Sequence, residues 1–154
     1  MGQERAASAE GTTRRLELSV PPDLSALADV RRSFDAFGLP RNVRDDAQLL
    51  VTELLSNSIR HAALRADERI RIWAGWSGRR LKVIVRDHDH APIGQQGRDV
   101  RIAGSIRPAP GAESGWGLFI VDQLATRWGT IQDGPPGYWF ELDLDPSPEA
   151  RERN

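Results

Sequence analysis

Residues 43–64 read VRDDAQLLVTELLSNSIRHAAL. Val43, Ala47, Leu50, Val51, Leu54, Leu55, Ile59 and Ala62 recur every three or four positions, which predicts a long helix with one apolar stripe to bury. Glu53, Asn57 and His61 fall four residues apart and share another face, spread over about 80° of rotation. Such a polar face has a bland explanation, a solvated surface. It also has a chemical one: an acid or base with an amide oxygen one turn away, suited to a hard cation and to orienting a nucleophile.

On the N-terminal side, Leu16, Leu18 and Val20 alternate with Arg15, Glu17 and Ser19, the period of a half-buried strand, stopped by Pro21 and Pro22. Leu24, Leu27, Ala28, Val30, Phe34 and Phe37 then follow helical spacing until Gly38 and Pro40 end it. On the C-terminal side, Ile70, Ile72 and Ala74 alternate, as do Leu81, Val83 and Val85, and Ser77-Gly78 between them predicts a hairpin. Residues 87–114 hold four glycines and three prolines with only a weak pattern. A loop of that length inside a domain is usually a lid or a binding loop. Leu118, Val121 and Leu124 predict a short helix over 117–127, with strands at 128–132 and 138–144. The order β α α β β lid α β β predicts an α+β fold, a mixed, mostly antiparallel sheet with helices on one face.

With 154 residues, 39% of them apolar and 28% charged, the composition is that of one globular domain. Residues 1–12 and 146–154 lack periodicity and read as flexible ends, leaving 13–145 as the domain. The absence of cysteine excludes disulfides, thiol nucleophiles, zinc ribbons and iron–sulfur clusters. No apolar run approaches the length of a membrane span, and no secretory pattern opens the chain, so the expected location is cytoplasmic. Twenty-one basic residues stand against 22 acidic ones, with no long block of one sign. That balance argues against a dedicated nucleic-acid binder.

Two further clusters carry chemistry. Asp87, His88, Asp89 and His90 end a strand before Ala91 and Pro92. They read as a solvated strand-end turn, as a transition-metal site, or as one carboxylate, Asp87, placed to accept from an exocyclic amine. The metal reading would make the chain a hydrolase using His61, His88, Asp89 and His90. Ser114, Gly115, Trp116, Gly117 and Leu118 stand at a loop-to-helix junction, where glycines admit close backbone approach and the helix start offers N–H donors to an anion. A permissive loop end explains the same glycines.

Taken in order, Glu53-Leu-Leu-Ser-Asn57-Ser-Ile-Arg60-His61-Ala62, Val85-Arg-Asp87 leading to Pro92, and Gly115-Trp-Gly117-Leu-Phe-Ile-Val-Asp122 resemble the GHKL ATPase superfamily. The likeness runs from about residue 14 to residue 145 and is greatest to the small anti-sigma-factor serine/threonine kinases and their actinobacterial ATP-binding relatives. The resemblance implies a two-layer α/β sandwich of the Bergerat type that binds Mg-ATP. It implies Asn57 as the ligand of Mg²⁺, Glu53 as the general base on an attacking hydroxyl, and Asp87 as acceptor from the adenine amine. Gly115 and Gly117 would meet phosphates, with Ser114, Trp116 and Leu118 beside them. Residues 92–114 would form the lid, from Pro92 through Arg98, Arg101 and Arg107. Arg60 and His61 would line the nucleotide or pack against the domain. The implied function is phosphorylation of a serine on a STAS-type anti-anti-sigma partner and control of a sigma factor, in a family that often forms homodimers. The alternative is a non-catalytic ATP-sensing interaction module. Three positions depart from the family's pattern. Asp89 stands where a small residue is usual, a threonine is missing near Gly137, and Trp116 separates the two glycines.

Overall fold

The computed structural model describes residues 13–87, 99–100, 115–131 and 134–144. Its elements are β1 (Arg14–Val20), α1 (Ala26–Ala36), α2 (Arg41–His61), β2 (Ile70–Ser77), β3 (Arg80–Arg86), β4 (Asp99–Val100), α3 (Trp116–Leu124), β5 (Arg127–Ile131) and β6 (Gly137–Asp143).

The strand alternation fixes which face is buried. Ala74, Val83, Phe140 and Trp128 form one cross-strand row on the inner face, with Ile72, Val85 and Tyr138 in the next. These side chains join Val30 and Phe34 of α1, the stripe of α2 from Val43 to Leu55 and Val121 of α3 in the main core. The intervening residues point the other way, and Trp73, Ile84, Trp139 and Ile131 make a smaller apolar cluster on the outer face. The sheet runs in the order β1-β2-β3-β6-β5-β4, and every pairing among the described residues is antiparallel. Helix α2 packs on β3 and β6 at the centre of the sheet, with α1 and α3 beside it. The fold is the expected α+β sandwich, with three helices among the described residues laid on one side of the sheet.

Local chemistry sets the ends of the elements, and several differ from the sequence expectation. Leu24 is 51% exposed and precedes the helix rather than joining its buried face. Asp23 turns the chain there: its Oδ1 accepts from the Ser25 N–H at 2.7 Å and its carbonyl from the Ala26 N–H at 3.0 Å. Helix α2 ends with the Ala62 N–H donating to the Ser58 carbonyl at 3.0 Å, and Ala63 takes the left-handed conformation (φ 48°) that glycine usually fills. Helix α3 stops at Leu124 because Ala125 is extended (ψ 139°), so Arg127 opens β5 instead of closing the helix. Within the weakly patterned stretch, Asp99 and Val100 form a two-residue strand against Ile131 and Thr130, which no periodicity indicated.

Candidate functional site

Helix α2 carries the first group of residues. Glu53 and Asn57 are half-buried, whereas Arg60 and His61 in the last turn are exposed. Among the described residues, neither the Glu53 nor the Asn57 side chain makes a hydrogen bond or an ion pair. A half-buried carboxylate and amide left without internal partners cost desolvation that a ligand would recover. Arg60 and His61 have a simpler account, because cations in the last turn complement the partial negative charge of a helix C-terminus. Asp46, seven residues before Glu53 on the same side of α2, has its carboxyl pushed above the usual range, first by burial and then by neighbouring Asp45.

Asp87 follows β3 directly and is buried, 6% exposed. Its N–H donates to the Pro136 carbonyl at 3.1 Å, which ties the end of β3 to the start of β6. The neighbouring Gly137 is there for space: a Cβ on it would lie 2.3 Å from the Val85 carbonyl oxygen and 3.1 Å from the Arg86 Cα. The missing threonine of the sequence reading therefore has a structural counterpart, since at Gly137 the two backbones leave no room for a side chain. Arg71 pairs with Arg86, so the chain that leaves α2 enters the sheet at the end where Asp87 stands.

The third group opens α3. Gly115 has φ 91°, a left-handed value that strains any other residue. Trp116 is 40% exposed and stacks edge-on against Phe119, with centroids 5.6 Å apart. Gly117 and Leu118 are half-buried. Gly117 lies against Glu53, close enough that a Cβ would come within 2.8 Å of the Glu53 Oε2. Helix α3 is held in turn by Asp122, whose Oδ1 accepts from the Trp128 Nε1 at 2.9 Å.

The structure thus brings Glu53 to the start of α3, with Asn57 one turn further along the same helix, and places Asp87 at the end of a strand on which that helix packs. Pro92, Ser114, His88, Asp89, His90, Arg98, Arg101 and Arg107 lie outside the described residues. Among the described residues no group of three or more His, Asp or Glu gathers as metal ligands would, and His61 stands exposed at a helix end. No described helix is long and apolar enough to cross a membrane.

Two features escaped the sequence reading. Ser58, next to Asn57, is 2% exposed and its Oγ has no hydrogen-bond partner among the described residues. A hydroxyl interrupting an apolar stripe was the available signal. The other is Arg31, whose Nε reaches the buried Thr52 Oγ1 at 3.4 Å, so its side chain braces α1 against α2. The arrangement offers a proton acceptor, an amide oxygen for a hard cation, a buried carboxylate at a strand end and a glycine-flanked helix start.

Comparison with known proteins adds one positive finding. The sequence profile described as a histidine kinase-like ATPase domain matches residues 20–140, from the last residue of β1 into β6. No curated protein matches the chain.

Proposed function

The chain belongs to the histidine kinase-like ATPase domain family, and from that premise we propose that it is an Mg-ATP-dependent protein serine/threonine kinase of the anti-sigma type. It would pass the γ-phosphoryl group to a serine of a STAS-type partner and hold or release a sigma factor accordingly. The observation that carries this reading is the Glu53 carboxylate, half-buried and unpaired among the described residues, set against the start of α3 one turn before the equally unpaired Asn57.

Each group then has one task. Asp87 accepts from the exocyclic amine of adenine, and its burial makes that single contact count. The N–H groups at the start of α3, reached over Gly115, face the phosphates. The Asn57 Oδ1 suits magnesium, a hard cation that takes few protein ligands and completes its shell with phosphate and water. When bound, the ion neutralises charge that develops on the transferring phosphoryl group. Glu53 orients the partner's serine hydroxyl and accepts its proton while the serine Oγ bonds to Pγ and the bond from Pγ to the ADP oxygen breaks.

The test is calorimetric titration of ATP with Mg²⁺ into the wild type, Asn57→Ala and Asp87→Asn, followed by transfer of labelled γ-phosphate to a purified STAS-type protein. Binding to the wild type, at least 100-fold weaker in either variant, followed by label on a partner serine, supports the kinase. Binding without transfer to any such protein would replace it with the ATP-sensing module. That second reading has one observation in its favour, the absence of any side chain at Gly137 to add a polar contact near Asp87.

A further inference from the structure

The two glycines that open α3 are glycine for different reasons. Gly115 needs its left-handed backbone, φ 91°. Gly117 does not: it lies within α3 without a positive φ, where glycine is a poor helix former and calls for a packing reason. That reason is on α2. A Cβ at residue 117 would meet the Glu53 Oε2 at 2.8 Å, the Glu53 Cβ at 3.6 Å and the Glu53 Cδ at 3.8 Å.

We infer that Gly117 is a positioning residue for Glu53: by carrying no Cβ, it reserves the space in which the Glu53 carboxylate lies against α3. The inference rests on the kinase reading for its catalytic consequence, but the contact itself does not. An alanine at 117 would not force the helices apart, because the nearest atom is the tip of a flexible side chain rather than backbone. The carboxylate would swing aside, and the fold would persist. For a general base, displacement of about 1 Å is enough to cost on the order of 10²-fold in rate. A glycine placed at the phosphate-facing helix start thereby also sets the geometry of the base on the neighbouring helix.

Two measurements test this. The first is a thermal double-mutant cycle without nucleotide, comparing Gly117→Ala in the wild type and in Glu53→Ala. With Glu53 truncated, alanine gains its full helix preference. With Glu53 present, part of that gain is lost to moving the carboxylate. The expected result is a Tm change about 2 °C or more higher in the Glu53→Ala background. Equal changes in both backgrounds would end the inference.

The second measurement is phosphoryl transfer. Gly117→Ala should lower kcat about 10²-fold in the wild type. In Glu53→Asp, whose carboxylate is withdrawn by one methylene, the further loss should be below about threefold, with the difference in kcat and not in KM. Equal losses in both backgrounds would mean that the methyl acts on the phosphates, and would overturn the positioning role. A wild type that transfers nothing would sink the kinase reading while leaving the thermal cycle to decide the contact.

Discussion

Strand β3 joins two ends of the molecule that treat charge in opposite ways. At its start, every carboxylate of the group is matched. Arg127 Nε donates to Glu141 at 2.6 Å and its Nη2 to Asp143 at 3.0 Å, Arg80 reaches the same two carboxylates at 3.7 and 3.0 Å, and Lys82 lies 3.7 Å from Glu141. Lys82 also sits over the Trp139 ring, 4.8 Å from its centroid. The Arg127 guanidinium is held more firmly protonated, chiefly by its hydrogen bond to Glu141. At the other end of β3 stands Asp87, and α2, whose following chain enters the sheet at that end, carries the Glu53 and Asn57 side chains with no partner among the described residues. One end spends its charges on holding strands together, and the other keeps polar groups open. A polar group already satisfied within the protein has little to offer a ligand, which favours the second end for the proposed site.

This contrast can be broken at either end. The largest effect is expected for Glu53→Gln, which keeps the shape and removes the proposed base. Phosphoryl transfer should fall about 10²- to 10⁴-fold, while stability stays within about 0.5 kcal/mol because no ion pair is lost. A Tm fall comparable with that of a core mutant would show that Glu53 is structural.

Next comes Gly137→Ala, where the added methyl meets backbone, the Val85 carbonyl oxygen and the Arg86 Cα. Overpacking of this kind costs about 1–3 kcal/mol, and Asp87 should move with the strand ends. Denaturant unfolding together with weakened ATP binding would confirm both. An unchanged midpoint would mean that β3 and β6 have slack at that point.

Glu141→Gln acts at the opposite end and should do the reverse, lowering stability and leaving ATP affinity alone. The Glu141 side chain is 12% exposed and faces three cations. Its loss should cost about 1–2 kcal/mol, between the limits for exposed and buried pairs. The cost should shrink as salt is added.

The smallest effect concerns Asp46. Its raised carboxyl pKa means that the folded state favours the neutral form, so ionisation works against folding at pH values above the folded pKa. That penalty disappears as pH falls through the folded value to below the unfolded one. Asp46→Asn should therefore stabilise at neutral pH by a few tenths of a kcal/mol, the carboxyl being only half-buried and screened by water. The gain should vanish in the acid range. A pH-independent gain would trace it to helix propensity instead.

Most of the elements were legible because burial imposes its period on the chain. The α2 stripe and the inner rows of β1, β2, β3 and β6 follow 3.6 and 2 closely, since a residue out of period would expose apolar surface. The errors fell where no period operates. Leu24 continued a helical spacing but stands in a turn made by Asp23, and Arg127 continued α3 on paper although Ala125 had already become extended. The candidate residues of the site could be named from types and spacings on single elements, but not which of them meet. Ser58 was not, because a lone hydroxyl in an apolar stripe resembles ordinary helix composition.

The sequence by itself determined the order and kind of the elements other than β4, the face of α2 that carries Glu53 and Asn57, and the glycines before and within α3. Periodicity and motif spacing are local, and a chain read one residue at a time contains them. Only the tertiary structure decided the strand order, which seats β6 between β3 and β5. From that order follow the row of Arg80, Lys82, Arg127, Glu141 and Asp143, residues up to 63 positions apart. It also decided that Gly117 faces Glu53 and that Gly137 faces Val85. Whether a glycine is needed for its backbone or for the space it leaves depends on the neighbour it meets, and that neighbour comes from another part of the chain.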